Sequence, residues 1–451
     1  MRRIAIAACV VVSACASSPA GDADPESSDG SSADTSGTAA TSTTSVTTGD
    51  DESTGEASSS ASSEGGETSG PALPGPGLAI VFPPSGATAS ATIVVRGTAT
   101  HDATITGVSV NGIAAVSRDG FATWRVEVPL DEGDNAIDAR MQTADGEIAN
   151  VDAIVVTRFV DEAAIVRGEG FPFGDTDLRG MDIDVEAGRS HSADSIYDGV
   201  LQVELATGER TWGTCSESTT ACEGGGEGVE LTDPLDVAVV AARGQVWVAD
   251  GDALFAVDLA TKDRTVVSNG ALGSGPAMMR AAGVAYDAAA DRAYVLDWEG
   301  AQVLAIDPAT GDRTLIASDE VGNGVAVNGL GVIEGDFARD RALLTRAYSN
   351  DIYTLDLVTG DREVLGGDGP ALVEPSSIAV APELDTAFVI SDDRIFAIDL
   401  QTGARSVLAG DGPMLAGVRN LAFGRGLLHA RAGGGQLAID PALGHRVYVS
   451  R

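Results

Sequence analysis

Six short glycine phrases recur through the C-terminal part of this 451-residue chain, each with a polar residue between two glycines. The central residues are Glu169, Glu227, Ser274, Asn323, Asp368 and Asp411. Carboxylates and amides converging on an axis would suit a hard cation such as Ca²⁺, which takes about six to eight oxygen ligands. The same residue types also serve as turn formers between glycines, a reading that needs no ion. A second set stands just before short apolar strands: Arg179, Asp236, Asn328, Ser376, Ser377, Arg419 and Asn420. These charged and hydrogen-bonding groups could hold a ligand. His191, His429 and His445 fall at unmatched places in the repeat, and the chain has no G-x-S-x-G, H-E-x-x-H or phosphate-cradling G-x-x-x-x-G-K.

A second phrase alternates with the first and shows what must position these groups. It reads VELATGER (203–210), VDLATKDR (257–264), IDPATGDR (306–313), LDLVTGDR (355–362), IDLQTGAR (398–405) and IDPALGHR (439–446). An apolar strand ends at an acid, a turn follows, and an arginine six positions after the acid opens the next strand: a hairpin. The acids and arginines are expected to close these hairpins as pairs. A small-residue strand follows each glycine phrase and one more strand completes the unit. Repeated four-stranded units are propeller blades, and small residues suit the strand nearest the crowded axis. The expected fold is all-β, with a six-bladed propeller over 161–451. Both Ala164–Arg167 and Arg446–Ser450 read as outer strands, either side by side or with one as an edge, and the sequence leaves that choice open.

Residues 75–160 have a different texture, with short alternating strands punctuated by Gly, Asn and Asp. Asn111-Gly112 reads as a hairpin turn and Trp124 as a core aromatic. The phrases VSVNGIAA and FATWRVEVPLDEGDNAIDARMQTADG resemble bacterial Ig-like modules, which implies a β-sandwich acting as spacer or docking surface. The repeats resemble the six-bladed propeller superfamily of NHL repeats, YWTD-type receptors and gluconolactonases; Asp250 and Asp297 fit the NHL-like strand ending in Asp. That resemblance implies that residues before the innermost strands ring one mouth of the channel, with the glycine-phrase residues on the same face. Asn328-Gly329 stands where gluconolactonases have a metal-binding Asn-Gly. Arg179, however, occupies the place of their glutamate ligand, and Asp236 is one residue out of register.

Composition narrows the partners. There are 28 basic against 67 acidic residues, a formal charge of −39, and Lys262 is the sole lysine. A chain this acidic repels phosphate backbones, so nucleic acid is excluded. The N-terminus carries two arginines, a short apolar run and Val12-Ser13-Ala14-Cys15, which resembles a bacterial lipobox. Residues 1–15 read as a lipoprotein signal with Cys15 lipidated, and Ala16 favours the outer membrane or cell surface. Residues 16–74 form an acidic Ser/Thr/Gly-rich stretch without a base, expected to be a disordered stalk. Cys215 and Cys222 are close enough to close a disulfide in an oxidising compartment. The reading is a monomeric, lipid-anchored cell-envelope protein, touching the membrane only through that lipid and binding a protein or glycan without catalysis. The alternative is a metal-dependent lactonase, hydrolase or lyase at the channel mouth.

Overall fold

The computed structural model describes residues 77–149, 154–216, 225–432 and 434–451. The signal segment with Cys15, the stalk and Cys222 lie outside the described residues. Cys215 is fully buried and engaged in a disulfide.

The first strands build a sandwich. Gly77–Phe82, Thr92–Thr100 and Thr123–Pro129 form one sheet; Ile113–Ala114, Ile105–Val110, Ala139–Thr143 and Gly146–Ala149 form the other. Alternation drives the packing: in Thr123–Pro129 the residues Trp124, Val126 and Val128 are buried and their neighbours exposed. Trp124 is a core residue, and a Cβ at Gly97 would stand 2.2 Å from its ring. Asn111 and Gly112 both have positive φ, 48° and 79°, the conformation a tight hairpin requires.

The remaining sandwich strands do not stay with the sandwich. Gly86–Thr88, Ile154–Arg158 and Gly133–Ile137 extend the sheet of the last blade beyond its outer strand Arg446–Ser450, making seven strands. One apolar cluster accordingly runs from Phe82 and Trp124 to Met181, Ile183, Val447 and Val449. Arg96 of the sandwich also reaches Asp440 at 2.9 Å, and that carboxylate is fully buried. The module is therefore welded to the ring by sheet and core.

Six four-stranded antiparallel blades follow, each from one contiguous stretch. Their innermost strands are Leu178–Asp184, Pro234–Val240, Ala281–Asp287, Leu330–Asp336, Ser377–Ala381 and Leu421–Gly424, for blades 1 to 6. Each packs on the next, and the last packs on the first. Crowding selects small residues here: a Cβ at Gly424 would lie 2.6 Å from Ile183 across the closing seam.

The recurrent phrases have separate jobs, and the expected acid–arginine pairing is not what forms. Most of the acids fold their own turns: Asp258, Asp356 and Asp399 accept backbone N–H groups two and three residues on, whereas Glu204 pairs with Arg189. Each arginine instead clips a glycine phrase. The N–H groups of Arg210, Arg264, Arg313, Arg362, Arg405 and Arg446 donate to the carbonyls of Glu169, Glu227, Ser274, Asn323, Asp368 and Asp411 at 2.7–2.9 Å. Five of the six guanidinium Nε atoms donate to a carbonyl two residues further along, that of Phe171 for Arg210, for example. Arg405 Nε alone has no partner.

This clip also closes the ring. Arg313 Nη1 reaches Ser268 Oγ of the preceding blade at 2.8 Å, and Arg210 Nη1 reaches Ser450 Oγ of blade 6 at 2.7 Å in the same way. Arg167 and Arg451 exchange backbone hydrogen bonds beside it. The segment before blade 1 thus lies alongside the end of the last strand without forming a strand of its own.

Candidate functional site

The axis of the propeller holds a cavity of about 780 Å³. Arg179, Asp236, Ser376, Ser377, Arg419 and Asn420 all line it, so most positions before the innermost strands do converge. Asn328 does not: it is outside the lining, with its carbonyl accepting from Arg346 Nε at 3.3 Å.

The glycine-phrase residues are a correction. Glu169, Glu227, Asp368 and Asp411 are exposed and each is tied by its backbone to the outer hairpin of a different blade, away from the cavity. The flanking glycines serve close packing: a Cβ at Gly226 would stand 2.0 Å from the Lys262 carbonyl oxygen. The arrangement expected for Ca²⁺ is therefore not assembled, and among the described residues no three His, Cys, Asp or Glu side chains come together as a metal site.

Deeper in the cavity stand three acids, two of them missed in the sequence: Asp182, Asp236 and Glu334. Each belongs to an innermost strand and reaches to the next blade. Asp182 accepts the Val239 N–H at 2.7 Å and Asp236 the Val284 N–H at 3.0 Å; Glu334 is held by the Val380 N–H. Ser377 Oγ does the same for Leu421 at 3.0 Å. A Cβ at Gly180 would meet Asp236 Oδ1, so only glycine leaves room for this carboxyl. All three acids are half-buried in the cavity wall, and desolvation is the main cause of their altered ionisation. Asp182 is pushed up to about 6 and Asp236 to about 7. Glu334 is pushed well above the usual range, with repulsion from the other two acids adding to burial. The legible signal was an acid interrupting an apolar strand, as in Met181-Asp182-Ile183.

The mouth has the opposite character. Asp177 accepts from Arg179 Nη2 at 2.7 Å and Nε at 3.1 Å, and from Ser195 Oγ; these bonds hold its carboxyl below the usual range. Arg280, also missed, bridges Asp233 at 2.7 Å and lies over the ring of Trp298, 5.5 Å from its centroid. Trp298 is 47% exposed. Asp297 positions both residues by accepting the N–H groups of Met279 and Arg280 at 2.9 and 2.8 Å, as Asp250 does for Thr232 and Asp233. The histidines are elsewhere: His191 and His429 are buried in second strands, and burial pushes both down to about 4.

Against the seam of blades 6 and 1 lies a smaller cavity of about 150 Å³ that shares Asp177, Arg419 and Asn420 with the large one. Arg431 lines it as well. Its guanidinium stacks on Phe173 at 3.9 Å, its Nη1 is buried without a hydrogen-bond partner, and desolvation lowers its pKa to about 10.

No protein-family model and no curated protein matches the chain. Among solved structures it is similar to a Bacteroides thetaiotaomicron protein of unknown function, at 13% identity and TM-score 0.46, covering 79% of this chain and 96% of that one. Auxiliary nutrient binding proteins from Bacteroides thetaiotaomicron and Bacteroides ovatus are similar at 10% and 14% identity, with TM-scores of 0.44 and 0.45. Each pairing covers 78% of this chain and 94% of the other. With TM-scores under 0.5 these likenesses carry no functional argument. No helix among the described residues is long and apolar enough to cross a membrane.

Proposed function

We propose that this protein is an exported lipoprotein that displays a ligand-binding propeller from the cell envelope and binds a glycan or protein at the channel mouth without catalysis. In this reading Cys15 carries the lipid, 16–74 is the stalk, 75–160 is an Ig-like module and 161–451 is the propeller. The observation that carries the reading is the cavity of about 780 Å³, within the range that encloses small ligands, with an exposed indole and three arginines at its entrance. An indole offers a flat apolar face beside a polar rim, which suits a sugar ring or a protruding side chain. The deep acids already spend oxygens on backbone N–H groups of the next blade, so they serve first to tie the inner wall.

The test is a screen of the mature protein on an array of envelope glycans and purified envelope proteins, beside Trp298→Ala. Retention by the native protein that falls at least about tenfold in Trp298→Ala supports the mouth as the site. Equal retention by both overturns it.

A further inference from the structure

Arg419, two residues before the innermost strand of blade 6, and Arg431, in its second strand, meet through the backbone and line the same small cavity. The Arg419 N–H donates to the Arg431 carbonyl at 3.0 Å, and the Arg431 N–H to the Asn420 carbonyl at 3.2 Å. Neither guanidinium makes a side-chain hydrogen bond or ion pair among the described residues, although the chain has 67 acids against 28 bases. Neither nearby carboxylate bonds to them. Asp177 is held by Arg179 and Ser195, and Asp194 accepts the Ile196 and Tyr197 N–H groups with one oxygen while its other oxygen is buried without a partner among the described residues. Two adjacent arginines with unspent donors beside a small cavity, one with a buried nitrogen lacking any partner, form a receptor for an anionic group.

We infer that the ligand of the mouth is a carboxylate-bearing saccharide, whose acid group enters the smaller cavity between Arg419 and Arg431 while its rings occupy the larger one towards Trp298. This rests on the mouth reading above and adds the charge of the ligand. The shared wall of Asp177, Arg419 and Asn420 makes the two cavities one continuous lining. Arginine suits the role because its planar fork can pair both oxygens of a carboxylate. Asn420 adds a side-chain amide at the junction.

The experiment is calorimetric titration of the mature protein with oligogalacturonate and with a neutral maltooligosaccharide of equal length, in low and in physiological salt. The expected result is saturable oligogalacturonate binding at least about tenfold tighter than the neutral sugar, weakened by salt. Arg419→Gln should abolish that preference, and Arg419→Lys should restore part of it. Because Arg419 is exposed, these substitutions spare the core, and melting curves check that they fold. Equal affinity for both sugars, unchanged in Arg419→Gln, overturns the anion receptor and leaves the mouth reading standing. Absence of oligogalacturonate binding also overturns it, and the Trp298→Ala array result then decides the mouth reading separately.

Discussion

Blades 2 and 3 share one continuous apolar cluster, in which Ala238, Trp247 and Leu254 of one pack with Met278, Val284 and Val295 of the other. Polar contacts such as Arg313 to Ser268 and Arg280 to Asp233 are added at its edges. Blades 6 and 1 meet differently. Near the sandwich their seam is apolar, with Met181 and Ile183 packing on Ala422 and Ala438. The cluster of Phe173, Leu201, Val203 and Trp212 stays within blade 1. Polar contacts span the rest: Ser190 to Gln436 at 2.9 Å, Arg431 over Phe173, and the Arg210–Ser450 clip, which Arg313 and Ser268 repeat between blades 2 and 3. Apolar contact is strong but indifferent to small shifts, whereas hydrogen bonds fix position. The seam that must join the two ends of the ring adds more of the directional kind to a smaller apolar contact. It also carries Arg419 and Arg431, whose guanidinium groups make no hydrogen bond among the described residues.

The contrast can be broken first at the apolar seam. Trp247 is fully buried and meets Tyr286 of blade 3 edge-on at 5.0 Å. Trp247→Ala should cost about 3–5 kcal/mol, lowering the melting temperature by roughly 10 °C; a shift under a third of that would show that this seam is not the stronger one. At the closing seam, Arg210→Gln should cost about 2–3 kcal/mol by stripping partners from buried oxygens. Arg405→Gln, in a clip whose Nε has no partner, should cost under about 1 kcal/mol. Parallel melts of the two variants decide this, and equal losses would mean that closure gains nothing special from its clip.

A further expected effect concerns pH. Asp236 has a folded pKa raised to about 7 from the ordinary 3.8, so the folded state binds its proton more tightly than the unfolded state does. Its contribution is fully present below about pH 4 and is lost as pH rises towards 7. Asp236→Asn removes that loss while keeping an acceptor for the Val284 N–H. The variant should gain on the native protein between pH 4 and 8 by on the order of 2 kcal/mol. Melting curves that stay parallel across this range would contradict the enclosed-acid assignment.

The blades were legible because exposed turns must repeat their chemistry wherever the chain reverses: Asp258, Asp356 and Asp399 announce three turns by type and spacing. The cavity entrance was partly legible for the same reason, since Arg179 and Arg419 each stand shortly before the innermost strand's apolar run. What stayed hidden depends on the neighbouring blade. Asp182 and Glu334 find their partners on backbone N–H groups of the next innermost strand, which no local pattern encodes. Arg431 is set apart by what it lacks, and that is visible only when its surroundings are in place. The acids between glycines misled because the glycines answer to close packing against a hairpin, not to a cradle for an ion.

The seven-stranded sheet has a consequence for self-association. The outer strand of a blade is a row of backbone donors and acceptors on which a foreign strand can template itself. In blade 6 the strand Gly86–Thr88 covers Arg446–Ser450, and Ile154–Arg158 and Gly133–Ile137 carry the sheet outward to an edge that belongs to the sandwich. A second copy of the chain therefore meets no bare blade edge where the ring is joined. The strand that fastens the propeller is shielded from exchange by a covering built from the same chain.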